Sequence, residues 1–185
     1  MELHSFVTHV KGIATQLTNL GQFAEVDGRT ADARAMFSQS VAESEKVGDP
    51  ALTASALNNL ASLESDAGSL DQALALWNRT LPLFRESGAT KNVSLTLYNL
   101  GELHQKQGRL DDASKAFQEA FNVASTDENL VEDRAYALMG LGLVAEAQDN
   151  TVRAREMFRK AETLFLQEGD KDSADKVAQR LRGLK

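Results

Sequence analysis

One block of sequence recurs four times along the chain at an almost constant spacing. It reads LTNLGQFAEVDG at 17–28, LNNLASLESDAG at 57–68, LYNLGELHQKQG at 97–108 and LMGLGLVAEAQD at 138–149. The first three copies are 40 residues apart, and the fourth follows after 41. A fixed period of this size predicts an array of helical repeats, each too small to bury its apolar face alone.

A second segment follows each block, and its four copies align without gaps at 30–48, 70–88, 110–128 and 151–169. An alanine and, four residues later, a large aromatic residue share the same columns. These residues are Ala33 and Phe37, Ala73 and Trp77, Ala113 and Phe117, and Ala154 and Phe158. Because the alanine lies one turn from the ring on the same helix face, it lets a neighbouring helix approach while the ring fills the adjacent space. We predict that both columns lie in the core.

The junction between the two segments is a glycine in three repeats, Gly28, Gly68 and Gly108, and Asp149 in the fourth. A helix that stops and reverses needs a residue that tolerates left-handed backbone angles, as glycine does best and Asp or Asn does next. Each repeat is therefore predicted to be helix A, a turn and helix B. The extra residue of the last period is expected in the third connection between repeats, within 125–137.

Composition restricts the class of protein. Apolar residues recur at spacings of three and four, strand-like alternation is absent and there are only two prolines, so the prediction is all-α. The net charge of −7 argues against nucleic-acid binding, which needs a basic face. The chain has no cysteine, signal peptide or long apolar run, so we expect a cytoplasmic protein with no disulfide, thiolate site or membrane partner.

The pattern resembles the tetratricopeptide repeat, in which a large residue, Leu-Gly, a turn Gly, an Ala and an aromatic follow at these spacings. The residues that match are Leu17, Leu20, Gly21, Gly28, Ala33, Phe37; Leu57, Leu60, Ala61, Gly68, Ala73, Trp77; Leu97, Leu100, Gly101, Gly108, Ala113, Phe117; and Leu138, Leu141, Gly142, Asp149, Ala154, Phe158. The resemblance implies a right-handed α-α superhelix of four helix-turn-helix repeats in a single domain, residues 1–185. The repeats are expected at about 10–49, 50–89, 90–129 and 130–170, with a capping helix at 171–184.

The chain also departs from the family pattern. Its repeat is longer than the usual 34 residues and is similar to the variety found in kinesin light chains and in bacterial regulators that sense peptides or sugars. The family's helix-A tyrosine is replaced by Ala24, Glu64, His104 and Ala145. Pro82 falls inside the second helix B, where we expect a kink or a partial break near 78–82.

The two ends of the array differ. The apolar stripe Ala174, Val177, Ala178 and Leu181 predicts a final amphipathic helix, which Asp172 or Ser173 can cap. At the other end, Phe6 and Val7 extend the first helix A, with no preceding repeat to cover them. These residues form either a homodimer contact or a partly exposed terminus.

By the family resemblance, the A helices line a concave groove. The candidate groove residues are Asn19, Gln22, Asn58, Asn59, Ser62, Asp66, Tyr98, Asn99, Glu102, Lys106, Tyr136, Met139 and Leu143. Asn19, Asn59 and Asn99 precede the Leu-Gly pair and would form a ladder. An amide both donates and accepts, so each could hold the backbone of an extended peptide; alternatively, each bonds a neighbouring helix and sets the repeat spacing. Gly140 replaces the fourth asparagine, either ending the ladder or making room for a bulky ligand group.

Charge at these positions indicates the kind of partner. The predicted groove carries four carboxylates and one cation. The carboxylates are Glu25, Asp66, Glu102 and Glu146, and the cation is Lys106. We therefore expect a neutral or weakly basic peptide rather than a partner's C-terminal carboxylate, with Tyr98, Tyr136, Met139 and Leu143 as an apolar anchor pocket.

The resemblance implies a protein-interaction scaffold that binds a peptide segment. The alternative is a domain that senses a signalling peptide or small molecule and changes its superhelix pitch. We expect neither enzyme activity nor a cofactor, because no catalytic motif is present. His4 and His9 are five residues apart, a poor spacing for sharing a metal on one helix face.

Overall fold

A computed structural model describes residues 2–184, and the side chains of residues 6–184. This part of the chain contains nine α-helices and no strand, which confirms the predicted all-α class. The helices are α1 Glu2–Val26, α2 Thr30–Val47, α3 Pro50–Asp66, α4 Leu70–Glu86, α5 Thr90–Lys106, α6 Leu110–Ala124, α7 Val131–Ala147, α8 Thr151–Glu168 and α9 Lys171–Gly183. Helices α1, α3, α5 and α7 are the predicted A helices, and α2, α4, α6 and α8 are the B helices.

The chain forms two compact units. The first ends at Ala89 and holds α1 to α4, and the second begins at Thr90 and holds α5 to α9. The boundary coincides with the predicted junction between the second and third repeats. The expectation of a single domain stays a prediction.

Both predicted core columns are buried. The four alanines are 0% exposed, and Phe37, Trp77, Phe117 and Phe158 are at most 3% exposed. In each pair of helices A and B, the two helices pack against each other. In the second unit the core continues through Phe165 and reaches Ala174 and Val177 of α9, so the last helix covers the apolar face of the fourth repeat.

The turns between helices A and B have the predicted backbone. The φ angles are +74° at Gly28, +81° at Gly68, +72° at Gly108 and +58° at Asp149. Asp149 is the one non-glycine residue with positive φ among the described residues. The substitution of glycine by aspartate in the fourth repeat therefore preserves the turn, because a short polar side chain tolerates this conformation.

The connections between repeats differ in length. Two residues separate α2 from α3, three separate α4 from α5, and six, 125–130, separate α6 from α7. The extra residue of the last period thus lies in the third connection, as predicted. This longer connection also ends α6 at Ala124, before the 128 expected from the alignment.

Two local predictions about helices need correction. Helix α4 runs without interruption from Leu70 to Glu86 and contains Pro82, so the predicted break is wrong, while the alternative of a kink stays a prediction. Asn78 and Pro82 are both exposed, so water can satisfy the carbonyl that lacks its partner. The cap of α9 is Asp170, whose carboxylate accepts from the N–H of Ser173 at 3.0 Å, rather than Asp172 or Ser173.

Candidate functional site

A row of aromatic rings in contact with one another crosses the helices of the second unit. The rings of Tyr98 in α5 and Tyr136 in α7 have centroids 6.0 Å apart, and Tyr136 contacts Phe165 of α8 at 5.0 Å. Tyr98 also contacts Phe117, with centroids 5.4 Å apart. Both tyrosines are half-buried against the core. The structure thus brings together two aromatic residues that the sequence placed in different repeats.

A cavity of about 640 Å³ lies between α7 and α9. Met139 and Leu143 line one side, and Val177 and Gly183 line the other. Because Tyr136, Met139 and Leu143 are three and seven residues apart, they lie on one face of α7. We call the surface made of Tyr98, Tyr136, Met139, Leu143 and this cavity the aromatic face.

Charged groups surround the cavity. The carboxylate of Glu146 accepts a hydrogen bond from Arg180 Nη1 at 3.1 Å, and Lys176 lines the same cavity. Glu146 was a candidate without a predicted partner, and none of the candidate groove residues came from the predicted capping helix. The spacing of Lys176 and Arg180 places both on one face of α9, but nothing in the sequence places that face beside Leu143.

The hydroxyl group of Tyr98 donates to Glu102 Oε1 at 3.0 Å. Burial of the ring raises the pKa of Tyr98, and the neighbouring negative charge of Glu102 raises it further. The phenol therefore stays protonated and holds the Glu102 carboxylate beside the ring. Lys106, one turn further along α5, is exposed.

The candidate residues of the first unit lie in two kinds of environment. Gln22 and Asp66 are exposed, while Asn58, Asn59 and Ser62 are half-buried. Partial burial raises the pKa of Glu25, and the charge of Asp66 raises it further. These two carboxylates of α1 and α3 are thus close enough to repel each other, and a positive ligand group would relieve that repulsion.

The neighbouring asparagines Asn58 and Asn59 have different roles in the structure. Asn58 Oδ1 accepts a hydrogen bond from Trp77 Nε1 at 3.1 Å, which satisfies the donor of a ring that is 3% exposed. Asn19, Asn59 and Asn99 make no side-chain hydrogen bond to any residue that the structure describes. Asn58 therefore joins α3 to α4, whereas no described residue satisfies the amides of the other three.

Gly140 has a packing role that neither of its sequence interpretations includes. A Cβ atom built at Gly140 would lie 2.6 Å from the Phe117 ring, and one at Gly101 would lie 2.6 Å from the same ring. No side chain fits at either position without displacing a ring that is 1% exposed. An asparagine is therefore excluded at 140 by the approach of α7 to Phe117.

The histidines form no metal site in the described part of the chain. No group of three or more His, Asp or Glu residues there could hold a metal ion, and the side chain of His4 lies outside the described residues. His104 has a buried Nδ1 with no hydrogen-bond partner. Burial lowers the pKa of His104, and repulsion by Arg109 lowers it further.

None of the described helices is long and apolar enough to cross a membrane. No curated protein sequence matches the chain closely enough to identify a relative.

Solved structures similar to this chain are helical repeat proteins. BtubC (BKLC) from P. vanneervenii has a TM-score of 0.73 at 16% identity, over 95% of this chain and 80% of that one. A putative kinesin light chain from Podosopora anserina, with nearly identical TPR-like repeats, has a TM-score of 0.69 at 13% identity, over 95% and 96% of the two chains. The apo form of RapI has a TM-score of 0.80 at 17% identity, and the match covers 90% of this chain and 60% of RapI. At these identities the likeness shows the fold.

The family model of the tetratricopeptide repeat matches the sequence in three overlapping segments, 12–86, 52–126 and 92–167. The matched residues include all four repeats of helices A and B, with the alanine, aromatic and turn columns described above. The chain belongs to the tetratricopeptide repeat family.

Proposed function

We propose that this chain binds an extended segment of a partner protein along its A helices, and that the aromatic face holds an apolar side chain of that segment. Tetratricopeptide repeats generally act as non-enzymatic scaffolds for protein interaction. The observation that carries the proposal is the position of Met139 and Leu143, which line a cavity of about 640 Å³ on the same face of α7 as Tyr136. Concave sites with apolar walls and a few polar groups at the edge are typical of ligand pockets.

The asparagines support backbone recognition. Asn19, Asn59 and Asn99 have amides without partners among the described residues, whereas Asn58 is held by Trp77. An amide can bond both the N–H and the C=O of an extended peptide, with a net gain of about 0.5–1.5 kcal/mol for each bond. Such bonds do not depend on the peptide's side chains, so specificity is left to the pockets.

Charge in the first unit favours a basic group in the bound segment. Partial burial raises the pKa of Glu25, and repulsion by the charge of Asp66 raises it further. A lysine or arginine of the partner near these carboxylates would favour their charged forms. In the second unit, Arg180 already pairs with Glu146, so the cavity contributes no unpaired carboxylate. The expected ligand is a neutral or weakly basic segment with one large apolar anchor.

A random-peptide library displayed on phage, selected against the purified chain, tests this function. Selected peptides would be synthesised with a fluorophore and titrated by anisotropy against wild type and Leu143→Glu, which puts a charge into the cavity. Val152→Glu is the matched control, because Val152 is 80% exposed on α8. We expect Leu143→Glu to weaken binding at least tenfold and Val152→Glu to leave it unchanged.

A second variant separates loss of the site from loss of the fold. A Cβ at Gly183 meets no atom within 4 Å, and Gly183 lines the cavity, so Gly183→Trp narrows the cavity without disturbing the core. Binding that stays at the wild-type level in both Leu143→Glu and Gly183→Trp would exclude the cavity as the anchor. A library that yields no specific peptide would contradict peptide binding itself.

A further inference from the structure

Exposed apolar side chains are concentrated on α1. Among the described residues, seven large apolar side chains are exposed, and four of them belong to this helix. They are Phe6 at 55%, Leu20 at 52%, Phe23 at 68% and Val26 at 86% exposed. A patch of this kind on one helix marks an interaction surface more often than scattered single residues do.

Leu20 and Phe23 occupy columns that are buried in later repeats of both units. The equivalent residues are Leu60 and Leu63 in α3, 7% and 4% exposed, and Leu141 and Val144 in α7, 2% and 1% exposed. Helix α3 packs against the preceding B helix α2, and α7 packs against α6. The exposed face of α1 is thus the face by which an A helix normally packs against another helix.

The spacing of the apolar residues on this face of α1 is suited to packing against another helix. Phe6, Ile13 and Leu20 are seven residues apart, and Phe23 follows Leu20 by three, which is the a and d pattern of a coiled-coil seam. His9 and Gln16 complete the d positions. We call these six residues the α1 seam.

The seam carries no lysine, arginine, aspartate or glutamate. Between Phe6 and Phe23 the sequence has one such residue, Lys11. Its Nζ is 2.7 Å from the carboxylate of Asp49, the N-cap residue of α3, and Lys11 is not a seam position. In a twofold-symmetric interface the same surface is present on both sides. A charged residue near the symmetry axis therefore faces its own copy, and the two like charges repel each other. The absence of charge therefore makes this face compatible with itself.

We propose that two copies of this chain associate through their α1 seams, as a twofold-symmetric dimer. A head-to-tail array is disfavoured, because α9 exposes Lys171, Asp172, Asp175 and Lys176 and offers no apolar face of this kind. The proposal is independent of the aromatic face, which lies in the second unit, and it uses none of the α1 residues proposed to contact the peptide, Asn19 and Glu25.

Sedimentation equilibrium of the full chain tests the dimer. We expect wild type to dimerise reversibly and the double variant Leu20→Glu, Phe23→Glu to be monomeric with unchanged helical circular dichroism. The control is Val152→Glu with Leu166→Glu on α8, whose side chains are 80% and 56% exposed, and it should remain dimeric. A wild type that is monomeric up to its highest soluble concentration, or a double seam variant that still dimerises, would overturn the proposal.

Cross-linking locates the contact. The chain has no cysteine, so a single introduced thiol reports one position. Gln16→Cys lies at the middle of the seam, and we expect a short bismaleimide to link it to its copy. Thr163→Cys on the exposed face of α8 is the matched position that should not react in this way. A dimer that cross-links through residue 163 and not through residue 16 would place the interface elsewhere and refute the seam.

Discussion

The guanidinium group of Arg34 in α2 donates two hydrogen bonds to the carboxylate of Glu64 in α3. Nε contacts Oε1, and the Nη2–Oε2 distance is 3.1 Å. The side chain of Glu64 is 2% exposed and that of Arg34 is 41% exposed. A buried carboxylate thus stands where the family has a tyrosine, and the pair connects the first repeat to the second.

We predict that Arg34→Ala lowers the melting temperature by several degrees, because it leaves the Glu64 carboxylate buried without its counter-charge. Glu64→Gln keeps a hydrogen-bonding side chain and should lower the melting temperature less. The double variant Arg34→Ala, Glu64→Leu removes both charges and should recover most of the loss. Thermal unfolding followed by circular dichroism measures all three. A double variant that melts no higher than Arg34→Ala alone would contradict a cost that comes from the unpaired carboxylate of Glu64.

The close approach of Gly140 to Phe117 leads to a second prediction. Gly140→Ala forces a Cβ atom into the ring, and we expect it to lower the free energy of unfolding by about 1–3 kcal/mol. Gly12→Ala in α1 is the matched control, because a Cβ there meets no atom within 4 Å; it should raise the free energy by about 0.5–1 kcal/mol. Chemical denaturation of the two variants provides the comparison. Equal stabilisation by both alanines would contradict the packing role of Gly140.

Pro82 and Pro50 are the only prolines, and they should respond in opposite ways to alanine. Pro82 is inside α4, so Pro82→Ala restores a backbone donor and should raise the free energy of unfolding by about 1–3 kcal/mol. Pro50 is at the first position of α3, where no intrahelical bond is lost. Pro50→Ala should lower the free energy by about 0.4–1 kcal/mol, because the unfolded chain gains freedom. A destabilising Pro82→Ala would mean that the proline is required by its surroundings.

His104 should make the fold less stable in mild acid. Burial and the charge of Arg109 lower its pKa in the folded chain, and Asp112 and Gln107 only partly oppose them. As the pH falls, the unfolded chain binds the proton first, near its ordinary pKa of about 6.5. Stability is therefore complete above that value and decreases as the pH falls toward the lower folded pKa.

His104→Leu should remove this contribution, so its free energy of unfolding should decrease less between pH 7 and pH 5 than that of wild type. The two other histidines are present in both proteins, so their contributions to the pH dependence of the free energy of unfolding cancel when the two proteins are compared. Urea unfolding at several pH values gives the two slopes. A His104→Leu protein with the steeper slope would reverse the sign of the argument.

The repeat pattern made the helices and the core predictable. Ala113 and Phe117 occupy two positions at which all four repeats have an alanine and an aromatic residue. The same packing arrangement is therefore indicated four times by the sequence. Asp149 was predictable for a similar reason, because a turn that glycine makes in three copies restricts the fourth to a residue that tolerates positive φ. Local backbone chemistry and periodicity were sufficient for these features.

Contacts that occur only once could not be read from the pattern. Asn58 and Asn59 are adjacent and chemically identical, and only the helix rotation decides that Asn58 meets Trp77. Lys176 and Arg180 lie on α9, outside the repeat, so the alignment could not place them beside Leu143. The exclusion of a side chain at Gly140 depends on how closely α7 approaches the Phe117 ring of α6, and this distance cannot be predicted from the sequence.

The most direct test of the account is nuclear magnetic resonance mapping of a phage-selected peptide on the isotopically labelled chain. We predict that chemical shifts change at Tyr98, Asn99, Tyr136, Leu143 and Arg180, on α5, α7 and α9. Asn59 should shift, whereas the Trp77 indole N–H, held by Asn58, should not. Changes confined to exposed residues of α6 and α8, such as Gln118 or Val152, would place the peptide on the B helices and contradict the proposed site.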